Sequence, residues 1–157
     1  MPDMTLRSNA SLNSNAVKVA PAGVVIMEST VEVAAAAAAN TQYVAARIPL
    51  SARIHGLSRV AFDDLASTGS PTIDFGLKAV GANFTTDVDA LNDGVDVAAA
   101  AGTAPYIKDI ANYGKMAWEL LGLSSNPGGF ADVIITILDA ATNTGGTVTS
   151  TLVYSVD

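Results

Sequence analysis

The densest group of side chains able to do chemistry is Asp87-Val88-Asp89-Ala90-Leu91-Asn92-Asp93-Gly94-Val95-Asp96, where four carboxylates and an amide crowd into ten residues. Oxygen donors at that density suit a hard cation such as calcium. An EF-hand loop, however, needs an oxygen ligand at its fifth position, glycine at its sixth and a bidentate Glu at its twelfth. Counted from Asp87, those places hold Leu91, Asn92 and Ala98. The EF-hand pattern fails, so residues 87–96 read as an acidic solvated turn, with an irregular calcium loop as the alternative.

Asp63 and Asp64 could act as an acid and base pair if their carboxyls met, since close carboxylates split their pKa values. Adjacent residues on a strand point to opposite faces, which keeps them apart. His55 is the single histidine, and no Ser or Asp stands at a spacing that would complete a nucleophile triad. The chain has no cysteine, which removes thiolate metal sites, disulfides and a cysteine nucleophile. The glycine-rich stretches at 122–129 and 145–146 lack a phosphate-loop lysine and read as turns. Tyr106, Tyr113 and Trp118 could stack on a sugar, although packing against a sheet accounts for Trp118 more simply. No catalytic, cofactor or metal residue is assigned, and an enzyme is not expected.

The elements that must position these groups occupy 157 residues, 50% of them apolar and only 15% charged. That length supports one domain with its own core. Residues 1–20 form a separate, small and polar tract, read as an extended arm, and residues 21–157 form the domain. Charge is uneven. Five bases face three acids in residues 1–60, whereas three bases face twelve acids in residues 61–157. An acidic body repels phosphates and anionic lipid, and no basic run or long apolar stretch is present, so neither nucleic acid nor membrane is expected as a partner.

From Gly23 onward apolar residues recur with period two, the pattern of half-buried strands. Strands are expected at Val24–Val33, Tyr43–Ile48, Arg53–Phe62 with Gly56 as a bulge, Thr72–Val80, Phe130–Asp139 and Thr147–Val156. Thr142–Gly146 reads as a hairpin loop between the last two. Ile107, Ile110, Ala111, Met116, Ala117, Leu120 and Leu121 recur at three and four, which predicts one amphipathic helix near residues 106–122. Many short strands and one helix predict a mainly β fold: an antiparallel β-sandwich, jelly-roll-like, with an extended N-terminal arm. Apolar residues on both faces near Val24 and Ile26 predict burial against another chain.

Pro21-Ala22-Gly23 leading into the first strand, the stretch Ala46-Arg47-Ile48-Pro49-Leu50-Ser51-Ala52-Arg53-Ile54-His55-Gly56-Leu57-Ser58, and Phe62-Asp63-Asp64-Leu65 resemble small structural proteins of tailed-bacteriophage virions. Ala90-Leu91-Asn92-Asp93-Gly94 and Trp118-Glu119-Leu120-Leu121-Gly122-Leu123 are similar too. The resemblance implies a capsid decoration or cement protein, trimeric, on the outer surface of the head, with the major capsid protein as partner and no catalytic residues. The arm would supply capsid contacts through Leu6, Arg7, Leu12, Val17 and Lys18. A fibre, spike or tail-associated receptor- or glycan-binding module is the alternative.

Overall fold

The computed structural model describes residues 23–156. Nine strands run β1 (Val24–Val33), β2 (Gln42–Pro49), β3 (Ala52–Ile54), β4 (Arg59–Phe62), β5 (Thr72–Ala79), β6 (Asp87–Asp96), β7 (Gly102–Pro105), β8 (Phe130–Leu138) and β9 (Gly146–Val156), with a one-turn helix α1 (Ala117–Leu120) before β8. Alternation decides what each strand buries. In β8, Ala131, Val133, Ile135 and Ile137 enter the core, and in β5 Ile73, Phe75 and Leu77 meet them.

The first sheet has the order β1-β9-β4-β7, with β3 also paired to β9; the second has the order β2-β8-β5-β6. All pairings are antiparallel. The pairs are nested: β1 with β9, β2 with β8, β4 with β7 and β5 with β6. One long hairpin is thus folded over on itself, with β3 and β4 together in the first sheet and β5 and β6 together in the second, which makes the antiparallel β-sandwich that the strand pattern predicts. Because β8 and β9 lie in different sheets, Thr142–Gly146 is a crossover and not the hairpin loop expected. Thr142 anchors it. Its buried hydroxyl donates to the Ala34 carbonyl at 2.7 Å and accepts from the Ala37 N–H at 3.0 Å, tying the crossover to the alanine run.

The helix expected near residues 106–122 is not formed. Pro105 ends β7, Ile110–Asn112 makes a short 3-10 turn capped by the Asp109 side chain, and Gly114 at φ 77° breaks the chain again. Only Ala117–Leu120 is α-helical, with the Glu119 carboxylate accepting from the Met116 N–H at 2.7 Å. A helix of one turn has no stability of its own, so tertiary burial decides the path. Tyr106, Ile107 and Ala117 are buried in the core while Ile110 is exposed, so the apolar residues do not share one face.

The core centres on Phe75 and Tyr106, whose rings are 5.0 Å apart and inclined by 52°. The Tyr106 hydroxyl shares a 2.6 Å hydrogen bond with Ser150 Oγ, and burial pushes its pKa up to about 12.

The expected strand 53–62 is two strands, β3 and β4, which pair with opposite ends of β9. Between them residues 55–58 turn outward; the His55 N–H still donates to the Val153 carbonyl at 2.8 Å, and the buried Ser58 side chain supplies the rest of the pairing there. Its hydroxyl donates to the Val153 carbonyl at 3.0 Å and accepts from the Val153 N–H at 2.9 Å. Replacing Ser58 by Ala leaves that N–H without its partner, and a buried unpaired group costs about 1–3 kcal/mol. Thermal melts of Ser58→Ala should show a drop of roughly 3–10 °C for a domain of this size. A change under about 1 °C would contradict the bridging role.

Candidate functional site

The outer face of the first sheet follows from the alternation of β1 and β9. Val24, Ile26, Glu28, Thr30 and Glu32 stand opposite Ser155, Val153, Thr151, Thr149 and Thr147. The Thr30 and Thr149 hydroxyls meet at 2.9 Å. Arg59 and Ala61 continue the face on β4 and Arg53 on β3, so two arginines stand with Glu28 and Glu32 among threonines and other small side chains. One end is different. Val24 is 61% exposed, Ile26 66% and Leu57 75%, far more than large apolar side chains usually show. Ile26 lies opposite Val153, the residue that His55 and Ser58 hydrogen-bond from the other side, and Leu57 sits between those two. Tyr113 closes against Gly56: a Cβ there would come within 2.6 Å of its ring. Arg53 donates to the Gly114 carbonyl and holds this segment beside β3. In its sheet β1 pairs with β9 alone, so among the described residues its other edge of ten residues is open.

The outer face of the second sheet is mixed, with Val44 and Phe130 half exposed beside charged groups. Arg47 makes a bidentate pair with Asp132, Nε to Oδ1 at 2.6 Å and Nη2 to Oδ2 at 3.0 Å, across the β2–β8 register. Farther along, strand β6 departs from regular pairing. Phe75 faces Asn92 and Leu77 faces Asp87, so two steps along β5 match five along β6. The extra chain passes directly over Gly76, where a Cβ would lie 2.3 Å from the Asp87 carbonyl oxygen and the Val88 carbonyl carbon. This detour carries Asp89, and a second bulge where Ile73 faces Val95 carries Asp93, to Asp74, and the three offer carboxylate oxygens within 4.8 Å of one another. Asp74 is only 2% exposed, and its Oδ1 accepts from the Gly94 N–H at 2.8 Å. Burial holds its carboxyl above the ordinary range; the Gly94 N–H opposes this, and the charges of Asp93, Asp89 and Asp139 add to the rise. Asp87 is raised as well, by burial first and then by Asp89.

The residues singled out from sequence fall in separate places. Residues 87–96 form the bulged strand β6 instead of a turn. Asp63 Oδ2 accepts from the Thr147 N–H at 2.7 Å and its hydroxyl at 2.9 Å, while Asp64 Oδ1 accepts from the Ala66 N–H at 3.1 Å, so the two carboxyls are not a pair. His55 Nε2 lies 3.3 Å from Ser155 Oγ, and among the described residues no carboxylate hydrogen-bonds either one. The three aromatics are dispersed: Tyr106 in the core, Trp118 half-buried with its indole N–H on Met116 Sδ at 3.2 Å, and Tyr113 outside. Leu6, Arg7, Leu12, Val17 and Lys18 lie outside the described residues. What sequence reasoning missed is Asp74, which lies inside the expected strand Thr72–Val80 with no role assigned to it; nothing in the local pattern marks the bulges that bring Asp89 and Asp93 to it.

A two-sheet, nine-strand antiparallel sandwich with nested pairing defines the class of fold. Phage capsid chains share it. The chain is similar to one from the capsid of Ralstonia phage GP4, with a TM-score of 0.64 at 18% identity, over 86% of this chain and 85% of that one. It is also similar to one from the capsid asymmetric unit of cyanophage Pam1, with a TM-score of 0.59 at 16% identity, over 94% of this chain and 99% of that one. At such identities the likeness is one of fold. No protein-family model and no curated protein matches the chain.

The Asp63 contacts generate a pH prediction. The Thr147 N–H, then its hydroxyl, hold the Asp63 carboxyl below its ordinary value of 3.8. A carboxylate whose folded pKa is depressed adds stability that is present above the unfolded value and lost as pH falls through the folded one. In denaturant melts the advantage of wild type over Asp63→Asn should therefore be full above pH 3.8 and shrink below it. A difference that does not vary with pH would show that the carboxylate charge is not what Thr147 holds.

Proposed function

We propose that the chain is a virion structural protein, and specifically a capsid decoration or cement protein that binds the outer surface of the head as a trimer. The observation that carries this reading is the sandwich shared with phage capsid chains, combined with an exposed apolar end on an otherwise largely polar sheet face. An apolar patch of that kind on a soluble β-sandwich is normally buried against a partner.

The two outer faces suggest an orientation. The first sheet, with Val24, Ile26 and Leu57 exposed and charges balanced, is the face proposed to lie on the major capsid protein. The second, which carries the Asp74, Asp89 and Asp93 group, would face solvent, where like charge keeps particles apart. Strand β1 begins at this apolar end, at Val24. Leu6, Arg7, Leu12, Val17 and Lys18 are proposed to extend the contact as a strap onto neighbouring capsid subunits. Each copy needs only a modest contact. Threefold association makes the second and third contacts intramolecular, which raises the overall avidity well above that of one copy.

Co-sedimentation with capsids assembled without this chain tests both parts of the contact. Deleting residues 1–20 should abolish binding and leave the melting temperature of the domain unchanged; undiminished binding would sink the strap. Ile26→Asp and Leu57→Asp change exposed positions, so the fold should hold within about 0.5 kcal/mol. Each should weaken capsid binding tenfold or more, and wild-type binding by both would show that another face is used.

A further inference from the structure

We propose that Asp74, Asp89 and Asp93 bind a divalent metal ion, calcium in preference to magnesium, beside the hydroxyl of Thr136. The inference does not depend on the capsid reading. Three carboxylate oxygens from β5 and the bulges of β6 lie within 4.8 Å of one another. Calcium, the larger ion, holds oxygens at about 2.3–2.6 Å and takes several carboxylates in flexible geometry, whereas magnesium keeps several waters and is usually held by one or two carboxylates. An all-oxygen donor set of this kind selects a hard cation. Among the described residues no Lys or Arg pairs with any of the three carboxylates; the nearby Lys108 ammonium donates instead to the Asp93 backbone carbonyl at 2.9 Å. Gly94 occupies Asp74 Oδ1, which leaves Oδ2 for an ion.

Thr136 provides the independent observation. It is 1% exposed, and its Oγ1 has no hydrogen-bond partner among the described residues. Thr136 stands directly opposite Asp74 in the β5–β8 register, so its side chain rises from the same face. Opposed residues have Cβ atoms about 4.5–5.5 Å apart. Buried hydroxyls are almost always bonded. An ion held by Asp74 brings itself or a bound water within reach of that oxygen, and Asp89 and Asp93 complete the protein's share of the shell. The ion would fasten the detour of β6 to the sheet beneath it.

The test is calcium titration of the full chain, purified in chelator, by calorimetry and thermal melts. One ion per chain should bind saturably, and saturating calcium should raise the melting temperature by roughly 5 °C, with a clearly smaller effect of magnesium. Asp89 and Asp93 are exposed, so Asp89→Asn and Asp93→Asn should fold as wild type yet lose at least tenfold in calcium affinity. Thr136→Val, which keeps the shape, should weaken calcium binding severalfold while melting no lower than wild type in chelator. Absence of saturable calcium binding by wild type, or unchanged affinity in the Asp variants, would overturn the site; an equal response to magnesium would overturn the size selection.

Discussion

Strand β9 pairs along one edge with all ten residues of β1 and along the other with β3 and then β4. The last strand of the chain thereby closes on the first, and every other pairing is nested inside that closure. Its inner residues Val148, Leu152 and Tyr154 line the core, and Ser150 holds the Tyr106 hydroxyl that stands against Phe75. Its outer residues make the threonine-rich face. Two short strands can share one long neighbour because Ser58 bonds both polar groups of Val153 at the gap, a side chain standing in for backbone. That gap also sends Leu57 outward and sets the apolar end of the face. Core, outer face and exposed patch therefore depend on the same strand.

Much of this was legible in the sequence where period-two alternation is unbroken. Val24–Val33 is a strand over the range expected, with Val33 buried and Met27 and Val31 packed against the core, and Thr72–Ala79, Phe130–Leu138 and Gly146–Val156 differ from expectation by a residue or so at an end. The failures have identifiable physical causes. Strand β6 hides because its bulges move Asp89 and Asp93 out of any regular period and its acids imitate a turn. Strand β7 has four residues and ends in proline. The false helix arose from residues whose spacing is helical but whose burial is settled separately by β7, by Gly114 and by α1.

Charge shows the same limit. The sequence divides into a slightly basic first part and a strongly acidic remainder, but nested pairing sets early strands against late ones, β1 on β9 and β2 on β8. The division along the chain therefore does not become a division in space. The acids gather instead where the β6 detour crosses β5, on the second sheet, and leave the first sheet's outer face balanced. Asp74 illustrates why a site of this kind escapes a reading of local motifs: its partners lie fifteen and nineteen residues further along, and only a tertiary irregularity brings them together.

The proposed role is decided most directly by imaging. Capsids assembled without this chain, mixed with the purified protein and examined by electron cryomicroscopy, should gain threefold density on the outer surface of the head. In that density the outer face of the first sheet should lie on the lattice, with Asp74, Asp89 and Asp93 turned to solvent. Bare heads, or density confined to tails or fibres, would contradict the decoration role; bound protein with the second sheet on the lattice would contradict the orientation derived from its two faces.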